Sequence, residues 1–197
     1  MIGLFRIIIY INMILRIYLW IRKHLLKVDD RSQLEIAISK GLKIGENVHI
    51  QGECVLDPGY PWLIEIGNNV TLAQRVYVLA HDASTKIPLG YSIIGKVSIG
   101  DNVFIGANTT ILPNVRIGNN VVIGSGSVVS RSIPDNSIAV GNPARIIKSY
   151  SDFVKEKKEK MKQVPTYDKS YSLFVDVSQD KKEEMIKALE NTTAFVF

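Results

Sequence analysis

Among the groups in this 197-residue chain able to move a proton or bind a metal, the three histidines stand out: His24, His49 and His81. An imidazole with an ordinary pKa near about 6.5 accepts a proton at neutral pH and gives it back, so each is a candidate general base. They are far apart in the chain, and a three-histidine zinc site is not expected. The single cysteine, Cys54, excludes an intramolecular disulfide and any multi-cysteine metal site, and it suits a reducing cytoplasm. His81 is followed directly by Asp82, the first carboxylate to consider as its orienting partner, although adjacent side chains on an extended strand point opposite ways. Asp57, Tyr60 and Trp62 form a second cluster. An aromatic beside a carboxylate is a common way to hold a sugar, and Trp62 serves equally well as a packing residue.

The elements that must position these groups follow from a period of six. Ile99, Ile105, Ile111, Ile117, Ile123 and Val129 share one phase, which random placement of aliphatic residues would produce about once in ten thousand trials. The same phase fits Ile44, Ile50 and Leu56, then Ile66, Leu72 and Val78, and after a break Val140 and Ile146. Four residues after each aliphatic stands a small or branched one, as in Val48, Cys54, Val70, Val76, Val103, Thr109, Val115, Val121 and Ser127. Between them the fourth place is mostly Asn or Gly: Asn47, Asn69, Asn102, Asn108, Asn114, Asn120 and Gly126.

A repeat this short suits parallel strands stacked around a triangular prism, three hexads to a coil, with the aliphatic and small residues inward and the fourth place at a corner. Asn and Gly tolerate the backbone angles such a corner needs. His81 falls at a fourth place, so it is either a corner residue or the base, and Cys54 reads as core filler. Two breaks in the phase, near Asp57 to Trp62 and between His81 and Val97, must leave the prism as loops. The chain therefore divides into an N-terminal helical segment (1–43), a mainly β prism of about four coils (44–149) and a charged, partly helical tail (150–197), with helices expected at 153–163 and 179–190.

The formal net charge of +5 would suit nucleic acid, anionic lipid or a phosphate-rich cofactor, and no nucleic-acid motif favours the first. In the apolar run from Ile2 to Ile21, Arg6, Asn12 and Arg16 bring the free energy of membrane insertion to about zero. With Lys23 and Lys27 they fall on one side of a helix, an amphipathic pattern that packs within an oligomer or lies on a membrane surface through residues 1–28. A cleaved signal peptide is not expected. The setting is thus cytoplasmic, with the inner face of the membrane open to the chain.

The hexads, together with IGANTTILPNVRIG, IGSGSVVSRSIPDNS and VGNPARII, resemble the hexapeptide-repeat acyltransferases, in particular the branch that acetylates sugars and capsular polysaccharides. That resemblance implies a left-handed parallel β-helix, a homotrimer and acetyl-CoA as co-substrate, without a metal. It implies O-acetylation of a sugar hydroxyl, of a cell-surface polysaccharide or its precursor, by direct transfer with His81 as general base. An acetyltransferase for a small sugar or an antibiotic, and a catalytically silent scaffold, are the alternatives.

Carried over residue by residue, the resemblance puts the backbone N–H of Ala107 at the oxyanion and Ser125 and Ser130 along the pantetheine arm. It puts Arg145 and Lys148 at the CoA phosphates, a charge-assisted contact. Asp82 is either the group that orients His81 or a loop or acceptor contact. Asp57, Tyr60, Trp62 and, from the long loop, Tyr91 are the candidate acceptor contacts.

Overall fold

The computed structural model describes residues 13, 14, 16, 17 and 32–197. Most of the N-terminal segment, including His24, lies outside these residues. Among the described residues no helix is long and apolar enough to cross a membrane. The described part opens with α1 (Gln33–Ser39). Ser32 starts it with a reciprocal cap: its hydroxyl accepts the Glu35 N–H, and the Glu35 carboxylate accepts the Ser32 N–H.

The first coil of the prism is β1 (Lys43–Ile44), β2 (His49–Ile50) and β3 (Val55–Leu56). The second is β4 (Ile64–Ile66), β5 (Val70–Leu72) and β6 (Tyr77–Val78). An excursion then carries β7 (His81–Asp82), α2 (Lys86–Leu89) and β8 (Ile93–Ile94) before the third coil, β9 (Val97–Ile99), β10 (Val103–Ile105) and β11 (Thr110–Ile111). The fourth coil is β12 (Arg116–Ile117), β13 (Val121–Ile123) and β14 (Val128–Val129). The first, second and third strands of successive coils pair in parallel, forming three sheets: β1-β4-β9-β12, β2-β5-β10-β13 and β3-β6-β11-β14. The stacked parallel coils are those the hexads predict, and their left-handed β-helix is the one the resemblance implies.

Register keeps like on like. Ile44, Ile66, Ile99 and Ile117 lie one above the other, as do Leu72, Ile105 and Ile123. From the second coil onward these aliphatics are 4% exposed or less, so the column is a continuous dry core. The corners behave as the fourth-place residues foretell: Asn47, Asn69, Asn102, Asn108, Asn114, Asn120 and Gly126 all have φ between 52° and 71°.

On one corner the side-chain amides run as a ladder, Asn47 to Asn69 to Asn102 to Asn120 to Asn136, with nitrogen to oxygen distances of 3.0 to 3.2 Å. Beside it, Asn68, Asp101, Asn119 and Asp135 each accept a backbone N–H from the preceding coil. This ladder explains the Gly after so many inward aliphatics. A Cβ on Gly67 would stand 2.4 Å from the Asp101 carboxylate oxygen.

The phase does not continue through Val140 and Ile146. In β15 (Ser137–Val140) the residue stacked on Ile123 is Ala139, and Val140 is half-buried. β16 (Arg145–Ser149) turns back antiparallel to β15 and leaves Ile146 half exposed. An antiparallel edge strand closes the sheet and ends the coiling. Ser149 caps α3 (Tyr150–Met161), which begins three residues earlier than expected because that cap holds the Asp152 N–H. The tail continues through β17 (Thr166–Tyr167), α4 (Gln179–Ala188) and β18 (Phe195–Val196), with β18 parallel to β17.

Asn102 tests the corner. Replacing it with Ala breaks the amide ladder and puts a Cβ residue without local hydrogen bonding at φ 56°. A loss of about 1–2 kcal/mol is expected in urea unfolding, with Asn102→Gly costing less because glycine keeps the angle.

Candidate active site

His81 opens the excursion between the second and third coils, directly beyond the end of β6. It pairs with Ile94 across the β7–β8 hairpin and does not take the left-handed backbone of a corner residue. The corner-filler reading is therefore corrected: the insertion displaces the turn, and the side chain is free of that geometric duty.

Asp57 stands one coil earlier, at the end of β3, where the Leu56–Val78 register brings it alongside Ala80 and His81. Its Oδ2 lies 2.6 Å from His81 Nδ1 and accepts the Ala80 N–H at 2.7 Å. Its Oδ1 accepts the N–H groups of Gly59 at 3.0 Å and Tyr60 at 3.3 Å. The carboxyl is fully buried. Burial pushes its pKa up, but the bond to His81 and those from the Ala80 and Gly59 N–H groups outweigh burial and hold it below the ordinary 3.8.

An ionised carboxylate only accepts, so Nδ1 carries the proton and Nε2 is left as the acceptor. The imidazole is 36% exposed, within reach of a bound molecule. Asp57 and His81 thus form a fixed pair with one basic nitrogen facing outward.

Asp82 does not orient His81. It is exposed, and its carboxylate accepts the Ser84 N–H at 2.8 Å, which together with the Ser84 side chain holds its pKa below the ordinary value. Strand alternation sends it to the opposite side of β7 from the imidazole. The orienting carboxylate is Asp57, which the sequence marks only as a candidate acceptor contact.

Tyr60 and Trp62 do lie beside the pair. The Tyr60 ring is 5.4 Å from the imidazole and 5.5 Å from the Trp62 indole, which is half exposed. Tyr91 is 78% exposed on the excursion. Cys54 is half-buried and its thiol is bonded to the Ala73 carbonyl, as core filler would be.

The remaining predicted residues are elsewhere. Ala107 and Ser125 occupy the corner between the second and third sheets, stacked so that the Gly126 N–H donates to the Ala107 carbonyl. Among the described residues, neither the Ala107 nor the Ser125 N–H donates to a backbone carbonyl. The third sheet separates this corner from His81, a span of about 15 Å for five extended residues. Ser130 follows β14 on the same corner as His81, two coils farther on, or about 10 Å at the interstrand spacing. Arg145 lies on β16 and donates to the Ala144 carbonyl; Lys148, on the same strand, is ion-paired with Glu156 of α3.

A family profile described as bacterial transferase hexapeptide (six repeats) matches residues 96–131. Those residues carry the transferase hexapeptide repeat. CapG of Staphylococcus aureus is 47% identical over 93 residues, covering 45% of this chain and 54% of CapG. YvoF of Bacillus subtilis (strain 168), named as a candidate acetyltransferase, is 36% identical over 110 residues, covering 54% of this chain and 59% of YvoF. The chain spans little more than half the length of these relatives.

Among solved structures, the hexapeptide-repeat acetyltransferase VCA0836 of Vibrio cholerae O1 biovar eltor, complexed with acetyl coenzyme A, superposes with a TM-score of 0.51 at 30% identity. The match covers 56% of this chain and 61% of that one.

The buried carboxylate has a thermodynamic signature. A folded-state pKa below the unfolded one means Asp57 contributes stability that is full above about pH 4 and is lost as pH falls through the folded value. Wild type should therefore lose stability on acidification below pH 4 more steeply than Asp57→Asn. Asp57→Ala, which strands the Ala80 N–H and His81 Nδ1–H, should cost about 3 kcal/mol at pH 7 in urea unfolding.

Proposed function

We propose that the chain is an acetyl-CoA-dependent O-acetyltransferase acting on a sugar hydroxyl of a cell-surface polysaccharide or its precursor. The observation that carries the proposal is the buried Asp57 held against His81 Nδ1, which leaves Nε2 as a base beside the half-buried Tyr60 and the exposed Trp62. Its kinship with an acetyltransferase that binds acetyl coenzyme A supports the choice of donor.

In this reaction His81 Nε2 takes the proton of the acceptor hydroxyl as its oxygen attacks the thioester carbonyl carbon. The carbon–sulfur bond then breaks, and the imidazolium returns the proton to the departing CoA sulfur. Asp57 keeps the ring in the required tautomer and stabilises the imidazolium. The proton balance closes without a covalent enzyme intermediate. Trp62 and Tyr60 offer the sugar a face, and their place beside His81 would bring a stacked ring's hydroxyl to Nε2.

The oxyanion formed at the carbonyl needs donors, and the free N–H of Ala107 is the candidate. Within one chain it is about 15 Å from His81, too far to meet the same carbonyl. The site is therefore completed between subunits of a homotrimer, His81 from one and Ala107 with Ser125 from its neighbour. Outward side chains agree: the first sheet carries Lys43, Glu65 and Arg116, whereas the second and third present Phe104 and Tyr77 for contact. Arg145 and Lys148 are the candidate cations for the CoA phosphates; Lys148 must share or leave Glu156 to serve.

Two measurements test this. His81→Ala should lower kcat for CoA thiol release with an acetylatable glycan by about 10³-fold while the oligomer persists. Mixing subunits carrying His81→Ala with subunits carrying Ala107→Trp should restore activity that neither has alone; no restoration would place both groups in one subunit's site.

A further inference from the structure

Among the described residues, the end of the prism next to α1 is incompletely closed. Ile44, Ile50, Cys54 and Leu56 point inward as their counterparts do in later coils, yet they are only half-buried. The helix covers part of this mouth with Ala37 and leaves a cleft of about 480 Å³ between itself and β2–β3. That is the size of a small-molecule site. Leu34, Ile36, Ala37, Ile50, Val55 and Leu56 make its walls, and the Cys54 thiol among them is already bonded to Ala73. Its polar groups stand at the rim: Gln33, Lys40, Gln51 and Glu53. Glu53 is neutralised by Arg75 at 2.6 Å, whereas Lys40 forms no ion pair among the described residues.

We infer that this cleft binds the hydrocarbon chain of an anionic single-chain amphiphile, with Lys40 at its head group. Walls that are mainly hydrocarbon disfavour a sugar or a peptide backbone, because most of its polar atoms would lose water without compensation. The uncompensated rim charge selects an anionic head over a neutral or cationic one.

The cleft also shares a wall with the active site. Pro58 and Pro61 line it, and they flank Gly59 and Tyr60, whose N–H groups hold the Asp57 carboxylate. A chain lodged there therefore packs against the turn that fixes the Asp57–His81 pair. Binding itself does not depend on the transfer reaction and is measured without acetyl-CoA.

The test is calorimetric titration of the full chain with dodecyl phosphate below its micelle concentration, alongside dodecyltrimethylammonium and inorganic phosphate. Saturable binding of one dodecyl phosphate per chain is expected, with at least tenfold weaker binding of the cationic analogue and none of phosphate. Ala37→Phe, which fills the cleft, should weaken binding at least tenfold, and Lys40→Gln should weaken it several-fold, each checked for an unchanged far-ultraviolet spectrum. Should Ala37→Phe misfold, Leu34→Phe fills the same space. Absence of binding overturns the inference. So does equal affinity for both charged amphiphiles, or affinity indifferent to the cleft-filling variants.

Discussion

Every coil of the prism must bring the chain back one interstrand spacing, about 4.8 Å, from where it began. That constraint governs the rest of the molecule. It requires three turns per coil, most of them through backbone angles that most residues avoid, and Asn or Gly takes those angles at every such corner of the four coils except Glu53 and Arg75. It stacks like on like, so one dry aliphatic column forms without any long-range packing decision. It also means that extra residues cannot be absorbed within a coil and must leave at a corner. The two insertions, at residues 57–62 and 81–96, leave at the same corner one coil apart, and the candidate chemistry gathers there.

The strength of that site lies in the rigidity of its parts. Asp57 is fixed by backbone N–H groups from its own turn and from the next coil, so its geometry is set by the stack rather than by a flexible loop. Hydrogen bonds to the charged form offset the cost of burying it. The imidazole inherits this order through Nδ1, and its other face stays open to solvent. The excursion beyond it is of another kind: Ile87, Leu89 and Tyr91 are largely exposed apolar side chains. Apolar surface of this sort, next to the candidate site, is consistent with the proposed assembly of prisms.

Most of the fold was legible in the sequence because the period, the inward residues and the corners are all local properties. The failures came where a contact is set by stacking. Asp82 is the carboxylate nearest His81 in sequence, but alternation turns it away, a warning visible in the residues alone. Asp57 is 24 positions distant and meets His81 only through the Leu56–Val78 register. Aligning the first coil under the second discloses it, since Leu56 and Val78 share the inward phase and Asp57 follows Leu56 directly. The end of the prism misled for a related reason: Val140 and Ile146 keep the period by number, yet β16 reverses direction and the period loses its meaning. The pairing of Lys148 with Glu156 was hidden too, because it depends on how α3 folds back on β16.

The central claim is that Asp57, rather than Asp82, makes His81 a base. The most direct measurement compares kcat/KM for acetyl transfer across pH 5 to 9 in wild type, Asp57→Asn and Asp82→Asn. A loss of about ten- to a hundredfold is expected for Asp57→Asn, with the acidic limb displaced to lower pH, and less than a threefold change for Asp82→Asn. Full activity and an unchanged profile in Asp57→Asn, with the loss falling on Asp82→Asn, would contradict it.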